Sequence, residues 1–222
     1  MNSNSDNNFV LAIESCSNFP SATLYNPHSN FIDRCELFKP LNTCSKVQNY
    51  SPAYLIDDLE EMFKKNGLQP HQIKTVMYCN GPGFFSKLRT GNIFVRSFKL
   101  LNPLIPVYKF NLLFLLFFKL KKLNLWKENY LILPAGKSGF YKESYKNNFF
   151  EVLDKAQFMS HINSGEKVFD YQLLDGDLCL SDVMVDIYNF VSASLIEAFL
   201  DEDLQPLYLR QASVTTKKQV VF

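Results

Sequence analysis

Glycine is scarce in this sequence, with 8 among 222 residues beside 21 phenylalanines and 20 asparagines. Each glycine that does occupy a tight turn is therefore informative. Arginine is scarcer still, at 4 against 19 lysines. Charge of one sign is absent too: Lys plus Arg number 23, Asp plus Glu 22, and the formal net charge is +1. That balance argues against a stand-alone nucleic-acid coat and a polybasic membrane binder. The five cysteines (Cys16, Cys35, Cys44, Cys79, Cys179) are odd in number, widely spaced and without a CxxC pair. Neither a disulfide framework nor a zinc site is suggested, so reduced thiols in a cytoplasmic protein are expected. His28, His71 and His161 stand alone, and none has the i, i+4 partner that a helical metal pair needs. The longest apolar run, Leu112–Phe118, is closed by Lys119, Lys121 and Lys122. It falls far short of the ~20 residues that span a bilayer. The opening residues are polar, and the first arginine is Arg34, so no signal or transit peptide is expected.

What is present is a folding composition, 47% hydrophobic and 20% charged. Three short segments, Phe9–Ile13, Ser21–Tyr25 and Phe31–Leu37, read as strands of an antiparallel meander. Ser51 and Pro52 then open a helix that Asn66-Gly67 closes, with Leu55, Ile56, Leu59, Met62 and Phe63 on one face. Ile73–Cys79 reads as a strand, Asn80–Gly83 as a sharp turn, and 84–101 as a second helix. Leu104–Tyr108 is a strand candidate, and Asn111 caps a helix over 112–122. Tyr130–Leu133 is a strand, and Phe140–Tyr145 with Phe149–Leu153 a hairpin about Asn147-Asn148. Asp182–Leu200 reads as a helix, and 155–180 gives no clear pattern.

The sharpest feature is a strand, the turn Gly81-Pro82-Gly83, and a helix. Glycine permits close backbone approach, and a helix start offers unpaired N–H groups to an anion. A plain structural turn has the same spacing. It is not a P-loop, which needs Gly-x4-Gly-Lys-Ser/Thr. The helix after it carries two apolar stripes. Phe84, Leu88, Gly91, Val95 and Phe98 form one seam, while Phe85, Ile93 and Phe94 lie off it. Such a helix either buries both stripes or offers one to a partner.

Gly81–Gly91 resembles the GPGSFTGLRIG signature of the TsaB (YeaZ) family through Gly81, Pro82, Gly83, Phe85, Leu88, Arg89 and Gly91, with Ser86 in place of Thr. Leu11–Ser17 resembles the family's opening LAIDTST. Pro206–Arg210 resembles its PxYLR, and Gly136-Lys137 with Phe140-Tyr141 resembles its DAGRGEVY turn. The motifs keep the family's order from about residue 9 to 210.

This resemblance implies an α/β fold of the actin-like, sugar-kinase-like (ASKHA) type, with two RNase H-like lobes. The first lobe would span 9–108, completed by a helix near 182–200, and a reduced second lobe 109–181, with polar tails at 1–8 and 211–222. It implies a non-catalytic, cytoplasmic scaffold that pairs with a TsaD-like catalytic subunit, helped by a TsaE-like ATPase. That complex places threonylcarbamoyl on an adenosine of tRNAs that read codons beginning with A. tRNA would be met only through the complex, no membrane is involved, and the isolated chain would form a homodimer. No metal or cofactor of its own is implied, while ATP or ADP would sit at the complex interface. A vestigial phosphate site would comprise Glu14, Ser15, Gly81 and Gly83. The partner surface would comprise Leu55, Leu59, Met62, Phe85, Leu88, Arg89, Gly91, Phe94 and Val95.

The sequence departs from the family where Glu14 replaces Asp, Phe84 and Lys87 replace Ser and Gly, and Pro134 replaces the second-lobe Asp. The acids of a phosphotransferase are thereby eroded. A stand-alone ASKHA ATPase or phosphotransferase is the alternative from the enzyme class.

Overall fold

The computed structural model describes residues 8–17, 20–37, 52–83, 85–124, 130–134, 139–144, 149–163, 168–170, 179–190, 200, 201, 203 and 204. The expected cap Ser51, the signature residue Phe84, Gly136-Lys137, the Asn147-Asn148 turn, the Pro206–Arg210 motif and both tails (Asn8 apart) lie outside them.

A five-stranded sheet carries the first part of the chain, in the order β3-β2-β1-β4-β5. Strands β1 (Phe9–Glu14), β2 (Ser21–Asn26) and β3 (Phe31–Glu36) form the expected antiparallel meander. β4 (Ile73–Gly81) and β5 (Val107–Asn111) then join β1 in parallel, one beyond the other. β5 begins later than the sequence suggests. Pro103 and Leu104 turn the chain, and ladder bonding begins as Pro106 O accepts from Val76 N.

Alternation along the strands feeds two cores. Leu11, Ile13, Val76, Tyr78 and Val107 face helices α1 (Pro52–Lys65) and α2 (Phe85–Leu101). Val10, Ala12, Met77, Cys79 and Phe110 face α3 (Leu112–Lys122) and a later helix, Leu180–Phe190. The unit is therefore a three-layer α/β/α sandwich. This explains why β1 and β2 are buried almost throughout while edge strand β3 is largely exposed. The lobe boundary expected at 108 falls inside β5, and α3 packs on the same sheet.

Local chemistry sets the helix ends. α1 closes as Leu68 N donates to Phe63 O at 2.9 Å, with Gly67 at φ +63°, a left-handed stop. Asn111 caps α3 as expected, its Oδ1 accepting from Leu113 N at 2.8 Å and Phe114 N at 3.4 Å.

A four-stranded sheet, ordered β8-β7-β6-β9, holds the second part. β6 (Tyr130–Pro134), β7 (Gly139–Ser144) and β8 (Phe149–Asp154) form a second antiparallel meander. α4 (Lys155–Asn163) follows, and β9 (Val168–Asp170) joins β6 in parallel. The order repeats β3-β2-β1-β4, with α4 standing where α1 stands. Both α4 and β9 fall within 155–180, where the sequence gives no clear pattern.

The final described helix, α5 (Leu180–Phe190), starts two residues before its expected position. It does not continue to Leu200, which forms an isolated antiparallel bridge with Tyr108, while Asp201 N donates to Val107 O at 2.8 Å. No helix among the described residues is long and apolar enough to cross a membrane.

Candidate functional site

The carboxyl ends of β1 and β4 lie side by side, because Ile13 pairs with Tyr78 in parallel register. This brings the segment after β1 against the Gly81–Gly83 turn and the start of α2, where an α/β sheet commonly places its ligands. Glu14, Ser15, Gly81 and Gly83 do converge here.

Glu14 is fully buried, and its carboxylate is held locally. Oε1 accepts from Cys16 N at 2.5 Å and from Ser17 N at 2.8 Å, and Oε2 accepts from Ser17 Oγ at 2.5 Å. The carboxylate thus caps the end of its own strand. Burial pushes its pKa up, against the lowering effect of the Ser17 bonds and of nearby Lys87. Lys87 is also fully buried, and its Nζ donates to Ser17 O at 2.5 Å. Burial pulls the lysine down, while the charge of Glu14 supports it.

The glycines serve close packing. A Cβ on Gly83 would stand 2.8 Å from Cys16 O and 2.9 Å from Cys16 Cβ. One on Gly91 would overlap Ser15 Oγ. Ser15 Oγ in turn donates to Lys87 O at 3.3 Å. Gly81 has φ +120° and precedes a cis peptide bond to Pro82. The turn is therefore wedged against residues 15–17, with the Lys87 side chain filling the space beside it.

Two further residues belong to this cluster and were not singled out from sequence. The Cys16 thiol donates to Cys79 O at 3.2 Å, and Cys79 Sγ lies 4.0 Å from Gly81 O. A carboxylate oxygen of Glu14 and the two sulfurs all lie within 4.8 Å of one another, and all three residues are buried. Burial pushes the Cys79 thiol well up. Only the pairing of β1 with β4 reveals this trio, since 63 positions separate the cysteines.

The expected partner surface divides. Leu55, Leu59, Met62, Leu88, Gly91 and Val95 are buried in the chain's own core and do not form an outer face. The reason is that α1 and the inner stripe of α2 cover the sheet. Phe85 and Arg89 are exposed, stacked with the guanidinium carbon 5.3 Å from the ring centroid. Phe94 is half-buried, edge-on to Phe98 at 5.3 Å. On α1 and α2, Ile56, Ile93, Leu100 and Leu101 are large exposed apolar residues that the expected set omits. A groove of ≈ 410 Å³ runs between the two helices, lined by Ile56, Phe63, Phe94 and Leu101 among others.

A second buried node latches the chain after α5. Asp201 accepts from Tyr78 OH at 2.5 Å and Lys109 Nζ at 3.0 Å, and Asn92 Nδ2 donates to Leu204 O at 2.5 Å. His28 and His71 are exposed, and His161 lies on α4.

The sequence matches no protein-family model and no curated protein. Solved structures do match. One is YeaZ from Pseudomonas aeruginosa, 12% identical, with a TM-score of 0.65 over 91% of this chain and all of that one. Another is an uncharacterized protein with similarity to peptidase YeaZ from Pseudomonas aeruginosa, 13% identical, with a TM-score of 0.64 and the same coverages. At this level of identity the likeness concerns architecture, and it agrees with the repeated meander-plus-parallel-strand order of the two sheets. The chain has the RNase H-like, ASKHA-type fold of these YeaZ structures.

Proposed function

We propose that this chain is a TsaB (YeaZ)-type scaffold without catalytic chemistry of its own. It pairs with a TsaD-like catalytic subunit in threonylcarbamoyl modification of tRNA. A TsaE-like ATPase joins that complex, ATP or ADP binds at the complex interface, and tRNA is reached only through the assembly.

The observation that carries the reading is the outer row of α2. Phe85, Arg89, Ile93 and Leu100 recur at helical spacing, with Phe85 48% and Ile93 50% exposed. Ile56 of α1 and the groove between the helices extend this apolar face. A helix whose inner stripe already fills a core has no structural need for apolar residues on its other side. A partner covering this face would remove roughly 1,200–2,000 Å² from water in total, the range of stable pairings. The second support is the state of the strand-end acids. Glu14 is fully buried, and β6 ends in Pro134 at the position where β1 ends in Glu14. A phosphotransferase of this fold requires acids exposed to an incoming metal–nucleotide.

Co-expression with a TsaD-like subunit, followed by size exclusion and light scattering, tests the proposal. A stable complex is expected, abolished by Ile93→Asp. A Phe85→Asp/Ile93→Asp chain that still pairs would overturn the assigned surface. Steady-state turnover of Mg²⁺-ATP by the chain alone, lost in Glu14→Ala, would favour the enzyme reading instead.

A further inference from the structure

The geometry points to a binding site for one thiophilic divalent cation of the zinc class, formed by Glu14, Cys16 and Cys79 where β1 and β4 end. This site is separate from the outer face of α2, and its assignment does not depend on the pairing role.

The donor set is a carboxylate and two sulfurs, mutually within 4.8 Å and all buried. Two thiolates with one hard oxygen select zinc or cadmium over magnesium or calcium, which take oxygen ligands. Ion binding displaces the two thiol protons to bulk buffer and leaves three anionic ligands. Together with a divalent ion the set carries one net negative charge. Lys87, buried alongside and electrostatically coupled to Glu14, supplies the balancing positive charge. A neutral cluster is the arrangement that a dry interior accepts.

Outer contacts also orient the donors. Glu14 is fixed by Cys16 N, Ser17 N and the Ser17 hydroxyl. Each thiol now meets a backbone carbonyl, Cys16 Sγ at 3.2 Å from Cys79 O and Cys79 Sγ at 4.0 Å from Gly81 O, and these contacts are exchanged for the ion on binding. The ion would tie the segment after β1 to the strand that leads into α2. Binding is thereby coupled to folding of this junction.

The test uses the full chain, reduced, stripped with chelator and refolded with one equivalent of Co²⁺. A thiolate-to-cobalt charge-transfer band is expected, bleached by Zn²⁺ and untouched by Mg²⁺. Cys16→Ser and Cys79→Ser should lose the band, and Cys35→Ser should keep it. A folded wild-type chain with no band overturns the site, as does a band that survives in both Cys16→Ser and Cys79→Ser. Should those variants fail to fold, alkylation of the wild-type thiols decides. Zn²⁺ should slow labelling at Cys16 and Cys79 but not at Cys35. Equal labelling with and without Zn²⁺ overturns the proposal.

Discussion

On the side of α2 that faces the sheet, Lys87, Leu88, Gly91, Asn92 and Val95 are buried, and their polar members are bonded inward. On the opposite side Phe85, Arg89, Ile93, Ser97 and Leu100 face outward. The inner face includes signature glycine Gly91, which the sequence assigns to the partner surface, yet in three dimensions it packs against Ser15. Lysine stands at position 87, and its amine reaches the Ser17 carbonyl beneath the turn. The outer face has no chemistry of its own but retains apolar area without a covering element among the described residues. Along one helix, the buried signature residues serve the fold, and the exposed face carries the apolar side chains Phe85, Ile93 and Leu100.

The most direct way to break this comparison places a carboxylate on each face. Val95 lies wholly in the core, so Val95→Asp buries an unpaired charge at a cost of on the order of 3–5 kcal/mol. That is comparable to the ~5–15 kcal/mol stability of a whole domain. Val95→Asp is expected to unfold or melt far below wild type. Ile93→Asp, two residues away, should keep the wild-type melting curve within about 0.5 kcal/mol and lose only partner binding. Circular dichroism melts beside co-purification read both. Equal loss of fold in the two variants would erase the distinction between the faces.

A subtler break separates charge from packing on the inner face. Lys87→Met keeps most of the side-chain volume and leaves Glu14 buried without its neighbouring cation. Losing that nearby charge and the bond to Ser17 O costs about 1–3 kcal/mol. Adding Glu14→Gln to Lys87→Met should recover part of that loss, because the stranded charge is gone. Denaturant melts of the single and double variants measure the coupling. Strict additivity would mean that Lys87 acts only as a filler.

How much of this was legible before the structure depended on the range of the interaction. Local rules located β1 to β4, α1, α2 and the Asn111 cap of α3, because each rests on residues within a turn or two of one another. They failed for α4 and β9, where Phe158, Met159 and Ile162 make no clean stripe. They also carried the last helix to Leu200, since no local signal says that residue will bridge to Tyr108. Sequence identified Ser15 for the phosphate site and Gly91 for the partner surface, but not their relation. That Gly91 must lack a side chain because Ser15 lies against it is a tertiary fact. The Cys16–Cys79 pair is hidden for the same reason, as is the division of α2. Two apolar stripes can be counted from spacing, but which one meets the sheet depends on Leu55, Leu59 and Met62 of α1 filling the same core.

The smallest expected effect concerns the far end of α1, where polar contacts hold the helix against the edge strand. Asp33 of β3 accepts from Lys65 Nζ and from Asn66 Nδ2, each at 2.7 Å. Partial burial works to raise its pKa, but the bonds from Lys65 and Asn66 prevail and hold the carboxyl below its ordinary value. A carboxylate depressed in the folded state binds its proton more readily when unfolded. Its contribution is therefore present above the unfolded pKa of about 4 and fades as pH falls through the lower folded value. Lys65 is well exposed, so the ion pair is screened by water and contributes only a few tenths of a kcal/mol. Asp33→Asn should lower the melting temperature slightly near neutral pH, and the difference from wild type should close in acid. Melts across that range, repeated at high salt, measure it. A difference that widened as pH fell would mean that Asp33 is not held as a carboxylate, and that the end of α1 is anchored by packing alone.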